Sequence, residues 1–172
     1  AKVLSPKKVL KIGIVGTGIQ ARLQLEMLQN VMNCREVLAY GRNEKKLLAF
    51  QADMQQKSFT VTLTQDISEI TRYCNFIVTT TPSEKPLLLA AEIKKGTHIT
   101  AIGADSPLKQ ELDENIFKKA DIVVADSMTQ CLERGDIAHA VRKGIICQKS
   151  IVELGHILSG KIKGRSHEDQ IT

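Results

Sequence analysis

Two glycines one residue apart, with a small side chain three positions on, make a place where a main chain can touch a phosphate. Gly16-Thr17-Gly18-Ile19-Gln20-Ala21 has that spacing. Gly16 permits a tight turn. Gly18 lets the backbone approach a pyrophosphate that a Cβ would strike. Ala21 is small enough for a helix to pack closely on the strand before it. A helix opening at Gln20 turns free N–H groups and a positive dipole end toward the anion. The same residues also describe a plain glycine turn before a helix. Here they follow the apolar run 12–15 and open an amphipathic segment, the context a dinucleotide-binding loop requires.

The next chemistry lies about 20 residues further on, where an Asp or Glu usually holds a ribose 2′-hydroxyl. Val37-Leu38-Ala39-Tyr40 ends instead in Gly41-Arg42-Asn43. A guanidinium pairs with a 2′-phosphate that a carboxylate would repel. Asn43 can add a hydrogen bond and Lys45 or Lys46 a charge. Arg42 also reads as a solvated turn residue and Asn43 as the N-cap of the next helix, and Asn43 can do both. This favours NADP(H) as cofactor, with NAD(H) the alternative.

In such sheets ligands bind beyond the carboxyl ends of the strands. Thr79-Thr80-Thr81-Pro82 offers hydroxyls there, Thr80 and Thr81 to cofactor ribose or phosphate and Thr79 as a strand residue. In Gly103-Ala104-Asp105-Ser106-Pro107 the small residues admit a flat ring. Asp105 reads equally as the group that meets substrate and as the Asp of an Asp-Ser-Pro turn. Lys109, four residues on, is expected to point away from it. Asp126 or Ser127 is expected to cap a following helix, with Ser127 also a candidate on the cofactor side. His98, at a strand start, reads as structural. No Cys/His spacing suits a metal, so none is expected.

These residues need strands to carry them. Ile12–Val15, Val37–Tyr40, Val61–Leu63, Phe76–Thr80, His98–Ile102 and Ile122–Ala125 are short, β-branched and bounded by turn residues. Helical spacing marks Gln20–Met32, Glu44–Gln56 and Leu112–Lys119, and one more helix is expected after Ser150 through Val152, Leu154, Ile157 and Leu158. Strands alternating with helices imply an α/β, three-layer αβα, doubly wound parallel sheet of about six strands, a Rossmann-type domain.

At 172 residues the chain suits one such domain. Its net charge of +5 fits either an ordinary basic surface or attraction of a phosphorylated ligand. Aromatics at 3% and no run of five like charges argue against nucleic acid. No stretch is apolar enough for a membrane span, and nothing at the start reads as a signal peptide. Four cysteines without a CxxC pair read as buried thiols in a reducing cytoplasm.

Gly16-Thr17-Gly18-Ile19-Gln20-Ala21-Arg22, Thr81-Pro82-Ser83, Ile102-Gly103-Ala104-Asp105-Ser106-Pro107-Leu108-Lys109-Gln110-Glu111-Leu112, Asp126-Ser127, Gly135-Asp136-Ile137 and the tail Glu153-Leu154-Gly155, Gly160-Lys161 and Gly164-Arg165 together resemble the ornithine cyclodeaminase/mu-crystallin family. The resemblance implies an NAD(P)-binding Rossmann domain over residues 11–150. Residues 1–10 are then a linker from an N-terminal substrate and dimerisation domain outside this chain, and residues 151–172 a helix and shortened tail. It implies a catalytic role for Asp105 and 2′-phosphate recognition by Arg42. It also implies a small amino or imino acid substrate and a homodimer formed through the outside domain. The family's activities include ketimine and pyrroline-carboxylate reductases, alanine dehydrogenase, the ornithine cyclodeaminase lyase and the non-enzymatic, NADPH-dependent ligand binding of mu-crystallins. The first group is the expectation here, because the lyase is expected to use NAD and Tyr40 is followed by no carboxylate.

Overall fold

The computed structural model describes all 172 residues. Five strands, β1 (Ile12–Val15), β2 (Glu36–Tyr40), β3 (Thr60–Thr64), β4 (Phe76–Thr79) and β5 (His98–Ala101), form one parallel sheet in the order β3-β2-β1-β4-β5. The winding reverses between β1 and β4, which opens a crevice at their carboxyl ends.

Both faces of the sheet are covered, so the central strands β1 and β4 are buried at every position and mostly apolar, as in parallel sheets generally. On one face Ile12, Ile14, Val37, Ala39, Phe76 and Val78 pack against Ala21 and Leu25 of α1 (Ile19–Leu28) and Phe50 of α2 (Glu44–Gln55). On the other, Val15, Leu38 and Ile77 meet Ile70 of α3 (Ile67–Tyr73), Ile116 of α4 (Asn115–Lys119) and Ile137 of α6 (Asp136–Arg142). Gly13 makes that approach close, because a Cβ on it would lie 2.9 Å from the Ile70 Cγ2. Emptying a fully buried site such as Phe50 by substitution with Ala costs about 3–5 kcal/mol.

Asn43 caps α2 by accepting the Lys46 N–H at 3.0 Å, as its position suggested. Asp66 caps α3 in the same way through Ser68.

The sixth expected strand, β6 (Val123–Ala125), does not join the sheet. It pairs in parallel with β7 (Ile151–Glu153), where a helix was expected to begin, and α7 is confined to Leu154–Leu158. The chain's last residues fill the gap. Thr172 O accepts from Ile99 N and Thr172 N donates to Thr97 O, while Ile171 O accepts from Asp121 N and Ile122 N. The tail therefore occupies the edge of β5 that β6 would have used. His98 locks it there by hydrogen bonds to the Thr172 and Thr100 hydroxyls. Residues 1–10 contain no helix or strand, yet Leu4 O is bound by Arg165 and Thr172 and the Lys8 carbonyl by Asn75. Of the four thiols only Cys74 is buried, and none is in a disulfide.

Candidate functional site

Between β1 and α1 the chain turns at Gly16, whose φ of +103° lies where side chains are strained. A Cβ there would also sit 2.7 Å from the Thr80 Oγ1. Gly18 is different. Its φ is −80° and no atom lies within 4 Å of the place its Cβ would take. Protein packing does not require a glycine at this position. The open space before it is the cradle a pyrophosphate needs. The first main-chain bond of α1 runs from Arg22 N to Gly18 O, leaving the N–H groups of the preceding turn without intrahelical partners. Arg22 fixes that turn. Its Nη1 donates to the carbonyls of Thr17 and Gly18, its Nε and Nη2 hold Asp53, and its guanidinium lies over Phe50.

A cleft of about 540 Å³ runs across the strand ends from this turn. Gly16, Thr17, Gly18 and Ile19 form its floor. Arg42, Asn43 and Lys46 stand at the β2 end, and Thr80, Thr81 and Pro82 at the β4 end. Arg42 and Lys46 are exposed and make no ion pair, so two cations face the cleft where a 2′-phosphate would lie. Lys45 is not among the lining residues. Gln20 and Ala21 do not line it either. Gln20 is exposed and Ala21 is fully buried under α1, the packing role its size suggested.

Sequence reasoning gave the Thr80 and Thr81 hydroxyls to ribose or phosphate. Their donors are already used. Thr80 Oγ1 donates to Val15 O at 3.1 Å and Thr81 Oγ1 to Glu111 Oε1 at 2.7 Å. What each hydroxyl offers a ligand is an acceptor, which suits a ribose hydroxyl and not a phosphate.

The residue that sequence reasoning passed over is Glu111. It is fully buried, forms no ion pair, and accepts from Thr79 Oγ1, Thr81 N, Thr81 Oγ1 and Gly103 N. Gly103 is glycine for this packing, since a Cβ would lie 2.4 Å from the Thr81 N and O. Asp136, at the head of α6, in turn accepts the N–H groups of Glu111 and Leu112 at 2.8 and 2.9 Å. Burial pushes the Asp136 carboxyl up to about 6.

Asp105, Gly103 and Ser127 lie outside the cleft lining. Asp105 is exposed, and Lys109, expected to point away, contacts it at 2.6 Å. The Lys109 ammonium holds the Asp105 carboxyl below the usual carboxylate range. Neither Asp126 nor Ser127 caps α5 (Met128–Glu133) by its side chain; the Met128 N–H goes to Glu153 from the end of β7 instead. His98 is buried against Phe76, and burial lowers its pKa to about 3, so it stays neutral. No three His, Cys, Asp or Glu side chains gather as a metal cluster, and no helix is long and apolar enough to cross a membrane. A hollow of about 640 Å³ lies at the opposite ends of the strands, but its Lys119 and Asp121 are spent on main-chain groups around it.

The strand order, the glycine turn at the head of α1 and a cleft across the switch point define a domain of the Rossmann class. The chain belongs to the ornithine cyclodeaminase/mu-crystallin family, whose model matches residues 1–172. It is 41% identical to the alanine dehydrogenase of Archaeoglobus fulgidus over its whole length and 53% of that protein. It is 33% identical to a Delta(1)-pyrroline-2-carboxylate reductase of Bacillus cereus over 99% of this chain and 53% of that one. Among solved structures, an archaeal alanine dehydrogenase dimer with bound NAD superposes with a TM-score of 0.92 at 40% identity, covering 99% of this chain and 53% of that one. The Thermococcus litoralis Delta(1)-pyrroline-2-carboxylate reductase, in complex with NADH and L-proline, superposes at 0.94 with 31% identity, covering 99% and 54%. The chain thus spans about half the length of the curated relatives it matches.

Proposed function

We propose that this chain is the cofactor domain of an oxidoreductase that moves hydride between a nicotinamide and the α-carbon of an amino or imino acid, and that its cofactor is NADP(H). The observation that carries the reading is the cleft, with a phosphate cradle at Gly18, unpaired cations at Arg42 and Lys46, and acceptors at Thr80 and Thr81. The relatives support the nicotinamide class and an amino or imino acid substrate. The 2′-phosphate rests on Arg42, Asn43 and Lys46 alone, since those neighbours hold NAD or NADH.

When bound, the nicotinamide supplies the hydride chemistry and the protein positions it. The turn N–H groups and the α1 dipole hold the pyrophosphate. Arg42 and Lys46 hold the 2′-phosphate, with a hydrogen bond from the Asn43 amide. Asp105, held ionised by Lys109, would take up a proton or stabilise the iminium once substrate is in place. Residues outside this chain orient the substrate carboxylate and pair the subunits into a homodimer, in a longer protein of the alanine dehydrogenase type. Its free thiols fit a reducing cytoplasm.

Calorimetric titration tests the reading. NADPH should bind more tightly than NADH, and Arg42→Asp should reverse the order. Tighter NADH binding by the unaltered chain would remove the NADP(H) assignment.

A further inference from the structure

A carboxylate taken wholly out of water is expensive unless each oxygen is well bonded. Glu111 has no cationic partner, and its four donors come from the last residue of β4 and from the loops that follow β4 and β5. Oε1 takes the Thr81 N–H and hydroxyl, and Oε2 takes the Thr79 hydroxyl and the Gly103 N–H. One rigid group therefore spans the sheet's last two strand ends. Thr81 is a wall of the cleft, and Gly103 leads directly to Asp105.

The strand order settles which half of a dinucleotide this concerns. Arg42 lies at the β2 end and Gly16–Ile19 at the β1 end, so a cofactor held there by its adenine half and pyrophosphate must carry its other ring toward β4 and β5. Resting on the cofactor reading above, we infer that Glu111 is a positioning residue for the nicotinamide half. It acts through Thr81 and Gly103, clamping the wall that seats the ring to the loop that carries Asp105. Asp136 holds the Glu111 and Leu112 N–H groups and so anchors the clamp to α6. No part of the clamp touches the adenine end.

Glu111→Gln is the decisive variant. All four partners are donors, so an amide NH2 must face either the Thr81 or the Gly103 N–H, and one loop is released. Glu111→Asp is one methylene too short to reach both. The ligands are NADPH and the same molecule without its nicotinamide ring, 2′-phospho-ADP-ribose. Both variants should weaken NADPH by about tenfold or more and leave the ringless ligand within about twofold. Retained binding of the ringless ligand shows that the fold is intact. The reduced-nicotinamide fluorescence of bound cofactor should also change, and with no Trp in the chain it is read without overlap.

Equal weakening of both ligands, or of neither, overturns the clamp while leaving the cofactor reading in place. Failure of the unaltered chain to bind either ligand overturns both. If the variants do not fold, amide shifts of the unaltered chain decide. Thr81 and Gly103 should move with NADPH and not with 2′-phospho-ADP-ribose, and identical shifts with the two ligands would overturn the proposal.

Discussion

Gly16 and Gly18 stand two residues apart and do different work. Gly16 holds a φ closed to most side chains, and a Cβ would press on Thr80. Gly16→Ala should therefore destabilise the fold by about 1–3 kcal/mol and lower the melting temperature by several degrees. Gly18→Val meets no neighbour, and as an altered helix cap it should cost no more than about 1 kcal/mol. Melting of the two variants without cofactor checks this; equal losses would remove the distinction. The glycine loop, Arg42 and Asn43 were legible because their chemistry is local, carried by neighbours along the chain. Glu111 was not. Its partners lie at 79, 81, 103 and 136, and only the crossovers from β4 to β5 and on to α6 bring them together. Arg22 had a signal that could have been read: four residues past Gly18, on a helix, it must fold back over the turn.

The strands of the main sheet were legible as short β-branched runs bounded by turns, β1 and β4 most clearly because both are buried at every position, while the edge strand β3 alternates. Three short helices were not: α3, α5 and α6 have seven residues or fewer and no long period to detect. The β7 strand was hidden because Val152, Leu154, Ile157 and Leu158 also fit a helical stripe. The head of α6 makes a prediction of its own. The Asp136 carboxyl is raised to about 6 from the ordinary 3.8, with burial the largest cause. The folded state thus prefers the protonated form. The stability this group contributes is complete below about pH 4 and is lost as pH rises through about 6. Asn at 136 keeps an acceptor oxygen and carries no charge. Asp136→Asn should match the parent near pH 4 and gain on it up to pH 7, by on the order of 1–3 kcal/mol. Chemical denaturation at four or five pH values measures the difference. A variant that loses ground as pH rises would contradict the buried-charge account.

At the scale of the molecule, the cleft faces one end of the sheet while the tail clasp of His98, Arg165 and Thr172 ties the other. Hydride transfer needs the reacting carbon held about 3–3.5 Å from its partner, and that positioning is worth several kcal/mol. The cation in contact with Asp105 is Lys109, already paired with it, and Arg134 acts on the carboxyl only from further off. This chain by itself should bind cofactor and not turn over. Steady-state assays with pyruvate plus ammonia, a cyclic imino acid and ornithine should show no hydride transfer above background. A rate of about 1 s⁻¹ or more on any of them would show a complete site.

On the proposed reading, a dinucleotide sits on the turn at Gly16–Gly18 with the 2′-phosphate of its adenine ribose against Arg42. The most direct measurement is NADPH titrated calorimetrically into the unaltered chain and into Gly18→Val, each first shown to be folded. Saturable one-to-one binding to the first and none to the second is the predicted result, because the valine methyls fill the space the pyrophosphate takes. Equal NADPH affinity in the two proteins would mean that the glycine turn is not the phosphate site.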